Sequence, residues 1–316
     1  MYTVHFFDRT GTVHQYSQDR SRFECHEGRQ ILVIADGHGG KPYCRSAVGA
    51  WQACQAALDV LKSDEDLSTA PGAIKKRYDE RVARHLKSLE LKPDELERLQ
   101  GRPVEQAYGT TLLAVRLEDC AEVFQLGDGE IYLFDAQGQL LPPLPDDKNC
   151  HGRFTSSMCY ARESAIQNFR SARYDHPAAV LMFTDGCEGG FQRAARALTD
   201  LEHLDEEMNQ MLRATAHGDD QTCLLAVDST IVEGEAFQTG LMRTMKELRE
   251  AARARHLKEM ELDECERLHA YLRGAIEKAR VMDPDQMRAY LMSIRPVADR
   301  YVELHERYYK SDSERR

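Results

Sequence analysis

The sequence predicts a chain of mixed β-strands and α-helices that is followed by a helical C-terminal appendage. Short apolar runs that end in Asp-Gly, or are interrupted by it, recur as far as Asp228. Helical periodicity fills the interval between the first two runs, and after Asp228 the chain changes to long charged segments with apolar stripes. Because strands bounded by turn residues give way to helices at this point, we expect two domains, 1–231 and 232–316.

The strand predictions rest on apolar runs that are too short for buried helices. Residues 31–35 (ILVIA) stop at Asp36-Gly37, which is typical of a buried strand that leads into a turn. Runs of the same kind lie at 110–117, 121–135, 178–186 and 221–228. This arrangement places aspartates at the ends of strands.

Helices are expected between the first two strands. Apolar residues recur there at spacings of three and four, as on the buried face of a helix. Their positions are Ala47, Trp51, Cys54, Leu58 and Leu61, then Ile74, Tyr78, Val82, Leu86 and Leu89. Pro93 begins a further short helix over 93–99, and the proline-rich segment 141–177 is expected to form an irregular flap.

The appendage also carries apolar stripes at helical spacing, and Asp283-Pro284 is typical of a helix start. The stripes are Leu241, Met245 and Leu248, then Leu268, Leu272 and Ile276. Two interpretations stay open. The helices form a layer that packs back on the first domain, or their apolar faces contact a partner such as a kinase or a second copy of the chain.

Composition favours a globular protein and excludes several classes. A chain of 316 residues with 42% hydrophobic content can bury a full core. No apolar run approaches the roughly 18 residues of a membrane span, and the first residues lack signal-peptide features, so we expect a cytoplasmic protein without a membrane partner. The nine cysteines are scattered without a Cys-x-x-Cys pair, so neither a disulfide framework nor a zinc site is indicated.

The negative charge is concentrated in the predicted first domain. Residues 230–316 carry 17 basic and 17 acidic side chains, so the whole net charge of -11 belongs to residues 1–229. An acidic surface repels a phosphate backbone, and no nucleic-acid partner is expected. Carboxylates instead suit the binding of divalent cations.

Six short motifs stand in order along the first domain, most of them acidic. They are SQD (17–19), DGHGG (36–40), GTT (109–111), GDG (127–129), TDG (184–186) and GDDQT (218–222). A single Asp-Gly pair is more often an ordinary turn, because Asp and Gly supply turn chemistry anywhere. Six such elements at predicted strand edges indicate a shared site.

In this order the motifs resemble those of the protein phosphatase 2C family. GTVHQYSQD (11–19) is similar to the family's opening GxVRxxNED, DGHGG matches its second metal motif, and GTT, GDG, TDG and DDxT follow in family order. The resemblance covers residues 1–229. It implies an α+β fold, a central β-sandwich of two antiparallel sheets flanked by α-helices, with the metals at one end of the sandwich.

The resemblance also implies a set of metal ligands for two Mg²⁺ or Mn²⁺ ions. Asp36 would bridge the ions, Gly37 would offer its carbonyl oxygen, and Asp19 would act through water; Asp185 and Asp219 would complete the set. Asp128 would join Asp185 at a weaker third-ion site. Two hard cations can bind both the attacking and the leaving oxygen of a phosphoryl transfer. Turn or cap duty remains the alternative for these aspartates, and Thr110, Thr111 and Thr222 are expected to support them through hydrogen bonds.

Two histidines are candidates for direct roles. His38 follows the predicted bridging carboxylate by two residues, where it could protonate a departing alkoxide, so we assign it as general acid, with simple packing as the alternative. His14 occupies the position at which the family has a phosphate-binding arginine. Three arginines could substitute for it, namely Arg9, Arg20 and Arg22.

The expected function is therefore a metal-dependent serine/threonine protein phosphatase, an enzyme of signalling that acts on phosphoserine or phosphothreonine with a metal-bridging water. Its partners would be phosphoprotein substrates and a cognate kinase. His14 and Gln18, which depart from the family motif, leave open a regulatory or binding module of weak activity. A phosphatase for small phosphomonoesters is also open. A thiol phosphatase and a P-loop enzyme are not indicated, because the chain has no Cys-initiated phosphate loop and no GxxxxGK[ST] segment.

Overall fold

The structure is a computed structural model, and it describes residues 1–63, 66–145, 155–187, 190–214 and 218–307. Its residues form two compact units, Met1–Met245 and Lys246–Arg316. No helix among the described residues is both long enough and apolar enough to cross a membrane. The first unit contains all of the acidic motifs, so it carries the candidate site.

The first unit is built on two antiparallel sheets, as expected. Its strands are β1 (Thr3–Arg9), β2 (Arg20–His26), β3 (Arg29–Ala35), β4 (Leu112–Leu117), β5 (Cys120–Leu126), β6 (Glu130–Phe134), β7 (Arg170–Asp175), β8 (Ala179–Phe183) and β9 (Gln221–Val227). A four-stranded sheet has the order β1-β9-β8-β6, and a five-stranded sheet has the order β2-β3-β4-β5-β7.

Helices of the first unit pack on both sheets. The α-helices of the described residues are α1 (Ser46–Leu61), α2 (Ala70–Ser88), α3 (Pro93–Leu99), α4 (Arg162–Asn168), α5 (Phe191–Ala197), α6 (Leu204–Ala214), α7 (Ser229–Val232), α8 (Glu235–Ala279) and α9 (Pro284–His305). Alternation along β3 shows how the layers form, since Ile31 and Val33 pack with α1 and α2 while Leu32 and Ile34 face the four-stranded sheet. The result is the predicted α+β sandwich with helices on its outer faces.

The Asp-Gly interruption within residues 121–135 has a structural meaning. It separates β5 from β6, and these strands join different sheets. Gly127 permits the crossing because its φ of +105° lies in the region that favours glycine. Asp128 is consequently held at the point where the chain passes from one sheet to the other.

The prediction of an irregular flap over 141–177 is wrong for its second half. Residues Arg162–Asn168 form α4, and Arg170–Asp175 form β7, which pairs with β5. The strand lies at the edge of its sheet, and its burial alternates between partly buried and exposed positions, so its sequence contains no apolar run. Within the first half of the predicted flap, residues 146–154 lie outside the described residues.

The C-terminal segment is helical, as expected. In the first unit, Phe237, Leu241 and Met245 at the start of α8 are buried in the core beside the four-stranded sheet. In the second unit, the carboxylate of Glu264 on α8 accepts hydrogen bonds from Arg300 on α9, and Asp283 caps the start of α9. The domain boundary between residues 231 and 232 stays a prediction.

Candidate functional site

An acidic cavity of about 430 Å³ gathers most of the predicted site residues. Its walls include residues from five of the six motifs, all except SQD. The predicted residues that line it are Asp36, Gly37, His38, Asp128, Asp185 and Asp219. The other two, Asp19 and His14, do not line it.

The sandwich brings these aspartates together because each lies where a strand begins or ends. Asp36 follows β3 of the five-stranded sheet, whereas Asp185 follows β8 and Asp219 precedes β9 of the four-stranded sheet. Asp128 stands at the crossing between the sheets. Both sheets therefore contribute carboxylates to the same end of the sandwich.

Backbone contacts fix the position of Asp36. The Thr111 N–H and the Thr110 hydroxyl donate to the Asp36 carbonyl oxygen at 2.9 and 2.6 Å, and the Asp36 N–H donates to Thr111 Oγ1 at 3.1 Å. The GTT motif thus holds the loop after β3, in accord with the support expected of Thr110 and Thr111. The next residue, Gly37, has no room for a side chain, because a Cβ there would lie 2.7 Å from the carbonyl oxygen of Gln18.

Asp19 lies behind the cavity wall. Its side chain is buried, and its Oδ2 accepts a hydrogen bond of 2.9 Å from the Thr184 hydroxyl. That hydroxyl in turn accepts from the Thr222 N–H at 3.0 Å. The TDG and GDDQT motifs therefore fix the carboxylate predicted to act through water.

The carboxylates make this region strongly electronegative. Burial and the charges of Asp19 and Asp185 hold the pKa of Asp36 well above its usual range. Burial also raises the pKa of Asp19 to about 7, and partial burial raises the pKa of Asp219. No Lys or Arg is among the described residues that line the cavity. A set of oxygen donors that lacks a compensating positive charge fits hard divalent cations such as Mg²⁺ or Mn²⁺.

This charge excess predicts that the metal-free protein loses stability as the pH rises. The folded chain retains protons on Asp19, Asp36 and Asp219 that the unfolded chain releases near pH 4. The contribution of Asp19 to the free energy of unfolding is therefore complete below that pH, and it is lost as the pH rises towards its folded pKa of about 7. Thermal unfolding followed by circular dichroism in the presence of EDTA measures the effect.

The same pH series with excess Mg²⁺ is the control. A bound cation favours the ionised carboxylates, so the decline with pH is expected to disappear or to reverse. A metal-free protein whose unfolding temperature rises steadily between about pH 5 and 8 contradicts the prediction.

His38 lies in the cavity wall with a partly buried ring. The ring makes an edge contact with Tyr43 at a centroid distance of 5.0 Å, and its Nε2 is buried without a hydrogen-bond partner among the described residues. Burial lowers the pKa of His38 to about 4, against the opposing charge of Asp185. In the protein without cations the imidazole is therefore neutral at pH 7.

His14 contacts a carboxylate that the sequence interpretation missed. Its Nδ1 lies 2.9 Å from Oδ2 of Asp220, which is buried and also accepts hydrogen bonds from the backbone N–H groups of Gly11 and Gln18 at 2.8 and 2.6 Å. Asp220 thus joins both ends of the opening motif to the start of β9. The sequence signal that could have identified Asp220 is its position next to Asp219 in GDDQT. Adjacent side chains at the start of a strand point in opposite directions, so only one of the two carboxylates could face the cavity.

None of the three substitute arginines lines the acidic cavity. Arg9 donates to the carbonyl oxygen of Leu212, Arg20 donates to the carbonyl oxygens of Ser17 and Asp19, and Arg22 stacks over the ring of Trp51. The phosphate-binding role of His14 stays a prediction. Three further residues line the cavity that the sequence did not indicate, namely Tyr43, Thr155 and Tyr160.

The comparisons with known proteins agree with this architecture. A sequence profile of the family described as protein phosphatase 2C matches residues 11–226. A search of curated proteins returned no match. A bacterial serine phosphatase is similar in structure, with a TM-score of 0.53 at 14% identity over 74% of this chain and 99% of that chain.

Two further solved structures have the same fold. PppA, a key regulatory component of T6SS in Pseudomonas aeruginosa, has a TM-score of 0.50 at 16% identity over 72% of this chain and 97% of that chain. The serine/threonine phosphatase Stp1 from Staphylococcus aureus has a TM-score of 0.50 at 16% identity over 72% of this chain and 95% of that chain. At these identities the similarity concerns the fold.

Proposed function

The chain belongs to the protein phosphatase 2C family, and from that premise we propose that it is a metal-dependent phosphatase acting on phosphoserine and phosphothreonine in proteins. The observation that carries the proposal is the cavity in which Asp36, Asp128, Asp185 and Asp219 converge without a compensating cationic side chain. Such a site repels a phosphate monoester unless divalent cations are bound. Metal dependence is therefore part of the proposal.

The residues that would hold Mg²⁺ or Mn²⁺ are those of the cavity and its wall. Asp36, Asp185 and Asp219 offer carboxylates, Gly37 offers its carbonyl oxygen, and Asp19 is fixed behind them by Thr184. Asp128 would serve a third ion. The bound cations would supply the positive charge that neutralises phosphate oxygens and makes a water molecule nucleophilic at neutral pH.

The chain's own groups orient the site and carry protons. Thr110 and Thr111 hold Asp36 through its backbone, so its carboxylate is presented in a fixed position. His38 is the candidate for proton transfer to the departing serine or threonine oxygen, since its ring lines the cavity and its Nε2 has no partner among the described residues. Because burial lowers the pKa of His38, this role requires that the negative charge of the bound phosphate favour the protonated imidazole. His14 remains our candidate for a phosphate contact, with Nδ1 held by Asp220.

Removing the imidazole in His38→Ala is expected to reduce activity on a phosphothreonine peptide more than activity on an aryl phosphate. An alkoxide is a poor leaving group and needs a proton, whereas an activated phenolate departs without one. General acid catalysis typically contributes about 10²- to 10⁴-fold, and the peptide reaction should lose a factor of that size. Steady-state rates with both substrates give the comparison.

A variant of Tyr43, whose ring packs against His38, serves as the control for packing. Tyr43→Phe keeps the edge contact and should affect both substrates alike. Equal losses on the two substrates in His38→Ala would assign His38 a structural role instead.

The direct test of the function is release of inorganic phosphate from phosphoserine and phosphothreonine peptides. We expect turnover with Mn²⁺ or Mg²⁺ and none with EDTA. A small phosphomonoester provides the comparison that defines the substrate class. No metal-dependent release from any of these substrates would refute the proposal.

A second candidate function is a phosphopeptide-binding module with weak turnover. It is favoured by one observation, the lack of any Arg or Lys among the described residues that line the acidic cavity. Because a bidentate guanidinium is the usual means of holding a phosphate dianion, its loss weakens substrate capture. Calorimetric binding of a phosphopeptide with Mn²⁺, in a sample that releases no phosphate, would favour this alternative.

A further inference from the structure

A second cavity, of about 540 Å³, lies beside the start of α1 and is separate from the acidic one. Its lining includes Tyr16, Gln18, Arg20, Ser46 and Trp51, and it contains no aspartate or glutamate among the described residues. The chain as a whole has a net charge of -11, but the charged side chains that line this cavity are the arginines Arg20 and Arg45. The second cavity is therefore positively charged, whereas the first is acidic.

Two neighbouring arginines on β2 have no acidic partner among the described residues. Arg20 lines the cavity, and its Nη1 donates to two backbone carbonyl oxygens. The guanidinium of Arg22 lies 3.9 Å from the ring centroid of Trp51, and its buried Nε has no hydrogen-bond partner within the described part of the chain. Residues i and i+2 of a strand share a face, so the two positive charges lie on the same side of β2.

Arg45, which lines the same cavity, differs from Arg20 because it is paired with a carboxylate. Its guanidinium forms two hydrogen bonds of 2.8 Å with the carboxylate of Glu95. Its charge is therefore compensated within the fold. The half-buried Arg20 lacks such compensation and would gain from an anion bound in the cavity.

The remaining walls suit a flat ring. Trp51 and Tyr16 are 36% and 63% exposed, and both line the cavity. Val48 and Ala47 add apolar surface on α1. Aromatic side chains bind planar rings by stacking or edge contacts, at a favourable free energy beyond that of the buried area.

We propose that this cavity binds a small organic anion that carries an aromatic ring. The ring packs against Trp51 and Tyr16, and the anionic group accepts hydrogen bonds from Arg20. The cavity volume suits a ligand of the size of a metabolite. This site is independent of phosphatase activity and of bound cations.

The two cavities share a wall. Gln18 and Ser46 line the anion cavity, while their backbone carbonyl oxygens lie 2.7 and 3.0 Å from the position of a Cβ on Gly37, which lines the acidic cavity. The backbones of both residues therefore pack closely against Gly37, next to Asp36. Side-chain oxygens of the same two residues, Gln18 Oε1 and Ser46 Oγ, are buried without a partner among the described residues.

Trp51 is the only tryptophan of the chain, so its fluorescence reports directly on the anion cavity. The full chain is titrated with benzoate in the presence of EDTA, with excitation at the red edge of tryptophan absorption. Without cations the aspartates of the acidic cavity repel an anion, so a signal cannot arise from binding there. We expect a saturable change in Trp51 emission.

Benzamide is the matched neutral probe, since it has the same ring and nearly the same shape. It should bind at least about tenfold more weakly than benzoate, the effect of one charge-assisted hydrogen bond. Arg20→Gln should reduce benzoate affinity by a similar factor and leave benzamide affinity unchanged. The control is Arg173→Gln, which removes an equal charge from exposed β7 at the opposite edge of the same sheet.

Three results would overturn the proposal: no saturable signal, equal affinity for benzoate and benzamide in the unaltered protein, or a benzoate affinity that Arg20→Gln leaves intact. The comparison of benzoate with benzamide uses the unaltered protein, so it tests the proposal even if Arg20→Gln fails to fold. An equal loss in Arg173→Gln would show a general charge effect and would also count against the site.

Discussion

Asp36→Asn is expected to abolish metal-dependent phosphatase activity and to weaken Mn²⁺ binding severely. The substitution removes a negative charge from the centre of the acidic cavity, where Asp19 and Asp185 act on the same carboxyl. Loss of a hydrogen-bonding partner outside a metal's own ligands already costs about 10- to 100-fold in affinity or activity, and loss of a ligand should exceed that. Asp185→Asn should behave alike.

The metal-free Asp36→Asn protein should be at least as stable as the unaltered protein. Burial raises the pKa of Asp36, which means that the folded chain disfavours its ionised form, and asparagine removes that cost above the usual aspartate pKa. Stability therefore separates loss of a ligand from loss of the fold. Titration calorimetry with Mn²⁺ and thermal unfolding in EDTA provide the two measurements.

Asp175→Asn is the matched control, because this aspartate is exposed on the edge strand β7 and does not line the acidic cavity. It should leave Mn²⁺ affinity and phosphate release unchanged. Unaltered Mn²⁺ affinity in both Asp36→Asn and Asp185→Asn would remove the basis of the ligand assignment and, with it, the proposed function.

Asp220→Ala is expected to produce the largest loss of stability among single substitutions near the site. The carboxylate is buried and accepts hydrogen bonds from two backbone N–H groups as well as from His14. Removing one member of a buried charged network typically costs about 3 to 5 kcal/mol, because the remaining donors stay buried without partners. Chemical denaturation of the metal-free protein measures the free energy of unfolding.

Asp220→Asn distinguishes hydrogen bonding from packing. Its amide oxygen can still accept from one of the backbone groups, so we expect an intermediate loss, while Asp175→Ala should change the free energy of unfolding little. A loss below about 1 kcal/mol in Asp220→Ala would show that the opening motif is held by other contacts.

The sequence reveals the inner strands of the sandwich more readily than its edges. β3, β4, β8 and β9 lie inside their sheets and are buried on both faces, so each contains a continuous apolar run. The strands that the sequence interpretation left out are β1, β2 and β7, and all three are edge strands. An edge strand carries charged residues and lacks a continuous apolar run, so it is recognised by its pairing with the neighbouring strand rather than by its hydrophobic pattern.

The sequence alone therefore determined the kinds of element, the positions of the helices before residue 100, and the aspartates that end the inner strands. Motif order added the family and the fold, and the family profile and the similar solved structures confirm both. The aspartates converge because they lie where strands begin or end, and antiparallel sheets bring alternate ends of their strands to the same edge.

Only the tertiary structure decided which side chains face which cavity. His14 and Asp220 lie 206 residues apart in sequence, and their contact exists because β1 pairs with β9. Arg9 reaches the carbonyl oxygen of Leu212 instead of the acidic cavity, while Arg20 on β2 lines the second cavity and Arg22 stacks on Trp51 of α1. The direction of a side chain depends on strand register and on the layer it meets, and neither is encoded within the few residues of a motif.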